Sequence, residues 1–155
     1  MSPKSILITG CSAGGIGSAI ALELATRHPD NHVFATARNI LKIADDLSNL
    51  PNVTVLQLDV CSASSVTKAV KAVEASRYGL HVLVNNAGAG YAMPILDMDI
   101  ERAKKIYDVN IWGPVRTIQA FASLLIASRG RIVNLSSVGG LVNTPWIGTS
   151  SFLVI

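Results

Sequence analysis

The feature that most constrains this chain is a glycine cluster between two kinds of periodicity, "ILITGCSAGGIGSAI" at residues 6–20. A short β-branched apolar run precedes it. After it, apolar residues recur with helical spacing. Gly10, Gly14, Gly15 and Gly17 therefore join a strand to a helix. One glycine permits the tight turn, another lets backbone N–H groups approach a pyrophosphate, and the last lets helix and strand pack closely. The anion then sits at the helix N-terminus, where unpaired N–H groups and the helix dipole favour negative charge. Ser12 and Ile16 lie in the same loop and join the candidate cofactor-binding residues. Glycine clusters are more often plain turns, but the flanking strand and helix favour a dinucleotide. No Gly-Lys-Ser/Thr follows, which argues against an ATP-binding loop of the P-loop type.

The rest of the chain repeats this alternation. Short apolar runs at Ser5–Thr9, His32–Ala37, Val53–Leu58, His81–Asn85 and Arg131–Ser136 read as strands buried on both faces. Between them helical periodicity covers Ile16–Arg27, a short segment near Ile40–Leu47, Ser65–Ser76, Asp99–Val109 and Ile111–Ser128. Val66, Val70 and Val73 form an apolar stripe on the third of these. Residues 139–155 read as a loop with a short apolar tail. Strand–helix alternation predicts an α/β fold: a doubly wound parallel sheet of about five strands, with right-handed crossovers. Half of the 155 residues are hydrophobic, 15% are charged and 5% aromatic, so the core is aliphatic, as such a sheet requires.

The same composition limits partners. Net charge is +3, from 13 basic and 10 acidic residues, and no Lys/Arg run stands out. Nucleic-acid binding and membrane electrostatics gain no support. The first ten residues form neither a signal peptide nor a membrane span, so the expected location is the cytoplasm. Cys11 and Cys61 lack metal-ligand spacing and read as buried, reduced thiols. His28, His32 and His81 read as ordinary surface residues. Glu23, Asp45, Asp46, Asp97 and Asp99 read as helix-face or capping charges.

The end of the second strand separates two cofactors. A carboxylate there would bind the ribose 2′-hydroxyl and repel a 2′-phosphate. This chain has "ATARN" instead, with Arg38 just past the strand. A guanidinium can pair with a phosphate through two parallel hydrogen bonds, which points to NADP(H). The alternative is that Arg38 is a solvated loop residue.

Further along stand "LDV" (58–60), "NNAG" (85–88), "VNIWG" (109–113) and "NLSSVGG" (134–140). In this order and spacing the chain resembles the short-chain dehydrogenase/reductase family from about Ser5 to Gly148. Within the family, "LITGCSAGGIG", "VFATARN" and "NNAGAGYAMPILDMDI" resemble the branch of NADPH-dependent 1-acyldihydroxyacetone-phosphate reductases. The resemblance implies a Rossmann-type fold and NADP-dependent reduction of a carbonyl, or oxidation of an alcohol, in lipid metabolism. It implies that Asp59 and Val60 line the adenine pocket. Asn86, Ala87 and Gly88 would support the sheet and touch the adenosine half. Asn110 matches an asparagine that holds a helix kink and a proton-relay water. Ser137 matches the serine that hydrogen-bonds the substrate carbonyl. Plainer roles stay open: Asn85 can end a strand and Ser136 can cap a turn. One departure is the glycine loop, where four residues separate Gly10 from Gly15 and the common pattern has three.

The family's proton donor is a tyrosine, whose unperturbed pKa near 10 must be lowered by a lysine four residues on. Counting thirteen residues from Ser137 gives Ser150, and four more give Val154. Neither can do that work. No tyrosine or lysine follows Gly130, and Tyr78, Tyr91 and Tyr107 all precede Ser137. The expectation is an incomplete, C-terminally truncated domain over residues 1–149 and a divergent tail over 150–155. It would keep nucleotide binding and lose catalysis. The fifth strand would be an uncovered apolar edge. The family's homodimer, built partly on Ile111–Ser128, would lose its partner helix. By resemblance, the cytosolic face of the endoplasmic reticulum and lipid droplets join the cytoplasm as locations.

Overall fold

The computed structural model describes residues 3–137. Five parallel strands form one sheet: β1 (Ser5–Ile8), β2 (His32–Ala37), β3 (Val53–Gln57), β4 (Val82–Asn85) and β5 (Arg131–Asn134). Their order is β3-β2-β1-β4-β5. Ile6 pairs with Val33 on one side and with Val82 on the other. The chain thus builds outward from β1 in one direction, then returns to place β4 on its other side. That reversal opens a crevice at the carboxyl ends of β1 and β4, where open α/β sheets bind ligands.

Alternation along the strands divides the core into two layers. Ile6, Ile8, Val33, Ala35 and Val84 face one side, with Ala21 and Ala25 of helix α1 (Ile16–Arg27). Leu7, Phe34 and Leu83 face the other, against α3 (Ala63–Glu74) and α5 (Gly113–Ala127). The buried face of α3 is Val66, Ala69 and Val73, with Val70 partly buried beside it. The helix starts before the expected Ser65 because the Ser62 hydroxyl accepts from the Ser65 N–H and caps it. The segment near Ile40 is a 3-10 turn (Ile40–Lys42), followed by the single turn α2 (Asp45–Ser48).

Three features depart from the sequence expectation. Helix α4 (Ile100–Tyr107), whose N-cap Asp99 accepts from the Arg102 N–H at 2.8 Å, does not stop before α5. A π turn at Asp108–Trp112 joins the two. His32 is not a surface residue. It is buried, stacked on Tyr78 with ring centroids 3.6 Å apart, and its Nε2 lies 2.9 Å from Thr54 Oγ1. Burial on both faces holds for β1 and β2, but β3 is half-buried and β5 is exposed. Both are edge strands among the described residues. Ile132 and Val133 of β5 are each 44% exposed. No described helix is long and apolar enough to cross a membrane. The expected loop and tail at 139–155, with Gly148, Ser150 and Val154, lie outside the described residues.

Candidate functional site

The site starts where β1 gives way to the glycine loop. Gly10 turns at φ 76° and Gly14 at φ 75°, both in the left-handed region that favours glycine. Close approach adds a second constraint. A Cβ at Gly10 would stand 2.9 Å from Ala87 Cα. One at Gly17 would stand 2.3 Å from Asn86 Nδ2 and 2.6 Å from the Gly10 carbonyl oxygen. The longer loop closes on itself through the Gly15 N–H, which donates to the Ser12 carbonyl at 3.1 Å. Its Ala13 N–H donates to the Lys42 carbonyl at 2.7 Å, tying the loop to the 3-10 turn beyond β2. No side chain caps the first turn of α1, and no carboxylate lies in it. Its N–H groups therefore face the loop ready for an anion.

A cleft of about 810 Å³ opens over this floor. Gly10, Ser12, Gly14, Gly15 and Ile16 line its base. Arg38 stands at the end reached from β2, with Asn39 and Lys42 beside it. Asp59 and Val60, after β3, form one lip. Asn86, Ala87 and Gly88, after β4, form the other, with Ala89 and Val109. Eleven of the twelve cofactor-binding candidates thus line one cleft; the twelfth, Gly17, is the packing glycine behind it.

The polar contacts explain why the lips hold their places. Thr9, which sequence reasoning passed over, is a buried node. Its Oγ1 accepts from the N–H groups of Asn86 at 3.0 Å and Ala87 at 2.9 Å. Asn86 in return donates its Nδ2 to the carbonyls of Thr9 at 2.7 Å and Gly10 at 3.1 Å. Asn86 is therefore the stitch between the glycine loop and β4. Asp59 Oδ1 accepts from the Cys61 N–H at 3.0 Å, which shapes the turn after β3. Asn110 clamps Ala89 in both directions: Oδ1 accepts from its N–H and Nδ2 donates to its carbonyl, each at 2.9 Å. Ser137 follows β5 and is exposed. The Tyr and Lys positions counted from it, Ser150 and Val154, lie outside the described residues.

Cys11 lies under the loop, its Sγ donating to the carbonyls of Ile8 at 3.3 Å and Gly17 at 3.6 Å. Burial pushes its thiol up to about 11. Cys61 is half-buried; burial first, then its hydrogen bond to Asp108 and the neighbouring carboxylate charges, push it up to about 11. Both thiols therefore carry little thiolate at neutral pH.

The floor fits an extended nucleotide on its own geometry. Backbone occupies the space where side chains would block a phosphate, uncapped N–H groups adjoin it, and cations stand at one end. Comparison with known proteins agrees. The short chain dehydrogenase family model matches residues 4–151. A short-chain dehydrogenase of Penicillium crustosum is 46% identical over 152 residues, spanning 97% of this chain and 55% of the relative. The NADPH-dependent 1-acyldihydroxyacetone phosphate reductase of Schizosaccharomyces pombe is 42% identical over 137 residues, spanning 87% of this chain and 45% of the relative. An alcohol dehydrogenase from the archaeon Thermococcus sibiricus, complexed with 5-hydroxy-NADP, superposes with a TM-score of 0.85 at 30% identity. That match covers 97% of this chain and 65% of the other. The chain spans about half the length of the curated relatives it matches.

Proposed function

The chain belongs to the short-chain dehydrogenase family, and on that premise we propose that it binds NADP(H) across this cleft as the nucleotide-binding part of a carbonyl-reducing oxidoreductase. The observation that carries the reading is Arg38. It stands at the end of β2 in a cleft whose floor excludes side chains, and no carboxylate occupies the ribose position. The reductase of Schizosaccharomyces pombe and the archaeal dehydrogenase, named with NADPH and 5-hydroxy-NADP, support the cofactor.

The residues divide the work. The first N–H groups of α1 receive the pyrophosphate. Arg38 takes the 2′-phosphate in two hydrogen bonds. Asp59 and Val60 flank the adenine, and Asn86, Ala87 and Gly88 back the adenosine half. When bound, the cofactor supplies the hydride. Ser137 holds the substrate carbonyl, and Asn110 holds the turn beside it. The substrate class we assign is a small ketone, with an acylated dihydroxyacetone phosphate as the candidate that the 42% identical relative suggests.

Proton delivery is the step this chain does not equip. Ser150 and Val154 occupy the positions of the tyrosine and lysine, and a serine hydroxyl is far too weak an acid to replace a phenol. We assign residues 1–149 to nucleotide binding, without turnover. NADPH should quench or enhance its own fluorescence saturably on titration, and bind more tightly than NADH. Arg38→Ala should remove most of that preference, about tenfold or more for a lost charge-assisted pair. Absorbance at 340 nm should stay constant with a ketone present. Equal affinity for the two cofactors would refute the role of Arg38, and turnover above a no-protein control would refute the loss of catalysis.

A further inference from the structure

The π turn at Asp108–Trp112 touches both lips of the cleft through different chemistry. Toward the β4 lip, Asn110 clamps the Ala89 backbone. Toward the β3 lip, Arg116 reaches back from α5. Its Nη1 donates to the Val60 carbonyl at 3.3 Å and to the Asp108 carbonyl at 3.5 Å, and its Nη2 pairs with Asp108 Oδ1. Asp108 also receives a hydrogen bond from the Cys61 side chain. The two elements are pressed together here: a Cβ on Gly113 would stand 2.8 Å from Val60 Cγ2. Val60 and Val109, one on each side of this contact, both line the cleft.

We infer that Asp108 and Arg116 are positioning residues of the nucleotide cleft, holding the Val60 lip at a fixed distance from the lip that Asn110 secures. The inference rests on the cofactor reading above. The π turn is the strut, and the ion pair with its bond to the Val60 carbonyl is the end that grips the β3 lip. Arg116 hydrogen-bonding holds the Asp108 carboxyl below its ordinary range. A fixed lip matters because a flat base such as adenine is held by walls on both faces, and a wall that drifts loses contact on one of them.

The test compares the full chain with Asp108→Asn and Gly113→Ala. The first keeps the shape and removes the charge. The second leaves the ion pair and pushes on Val60 directly. NADPH and adenosine 2′,5′-bisphosphate are titrated against each, and thermal unfolding is followed in parallel. We expect both ligands to weaken by the same factor, about three- to tenfold, in both variants while folding stays cooperative. Arg116→Lys, which keeps the charge, should restore part of the affinity lost in Arg116→Met. A purely structural role would lower the unfolding temperature and leave both affinities at the wild-type value, and that result overturns the inference. So does a loss confined to NADPH, which would place the effect away from the adenine. If the wild-type chain binds neither ligand, the cofactor reading itself falls and takes this inference with it.

Discussion

Cys11 and Cys61 show how one side chain reports on its surroundings. Both thiols carry a pKa of about 11 against an ordinary 9.0, Cys11 from burial and Cys61 from burial and then Asp108. At pH 8 their thiolate fraction is roughly a hundredfold below that of a free thiol, and the greater nucleophilicity of a more basic thiolate returns roughly tenfold of this. Iodoacetamide should therefore alkylate the half-buried Cys61 about tenfold more slowly than a small free thiol, and the fully buried Cys11 more slowly still. The same shifts set a pH dependence. The unfolded chain loses these protons near 9 while the folded chain keeps them to about 11, so it binds fewer protons than the native state in that window. Stability must fall as pH rises from 9 towards 11, by up to about 1.4 kcal/mol per pH unit for a fully buried thiol and less for the half-buried Cys61. Urea midpoints at pH 8 and pH 10 measure it. Alkylation at the free-thiol rate at pH 8 would mean that the loop over Cys11 opens freely.

At the scale of elements, α5 joins the sheet through a polar contact beside the apolar packing of Phe121 and Leu125. Thr117 Oγ1 donates to Asn85 Oδ1 at 2.7 Å, and Asn85 Nδ2 donates to Asn134 Oδ1 at 2.8 Å. Helix, inner strand and edge strand are linked through one buried amide. Thr117→Val keeps the volume and strands the Asn85 oxygen, a loss of about 1–3 kcal/mol. Urea denaturation should show it, and amide exchange at Leu135, whose N–H donates to the Asn85 carbonyl at 2.9 Å, should accelerate. An unchanged midpoint would mean water replaces the hydroxyl at no cost. This scale also shows what sequence can express. Strands and helices were legible because β-branched runs and 3.6-residue periodicity are local signals. The π turn was not, since an inserted residue leaves the flanking apolar patterns intact. The Asp108–Arg116 pair was hidden for the same reason. Eight residues apart, it lies beyond the i,i+3 and i,i+4 reach at which side chains pair on a regular helix. Thr9 gave no signal because its partners come from Asn86 and Ala87, across the sheet. His32 was misread because stacking on Tyr78 depends on how β2 meets the loop after α3.

For the whole molecule, the described sheet ends in a half-buried edge at β3 and an exposed one at β5. The cleft residues were legible because glycine geometry and Arg38 act locally, and strand order then gathers them at the point where the sheet changes direction. The β3 edge is half-buried. The β5 edge carries Ile132 and Val133, on opposite faces and each 44% exposed, while Ile126 near the end of α5 is 78% exposed. A strand that carries apolar side chains and whose outer edge no described strand pairs is a template for pairing with another chain. The chain should therefore associate as its concentration rises, and light scattering or sedimentation velocity will follow it. Val133→Lys should suppress that association, because the lysine stem can lie along the exposed face while its charge repels a second copy. NADPH affinity should be unchanged, since Val133 is absent from the cleft lining. A wild-type chain that stays monodisperse and monomeric at high concentration would show that this edge is no liability. Association that Val133→Lys leaves untouched would move the sticky surface to the exposed side of α5.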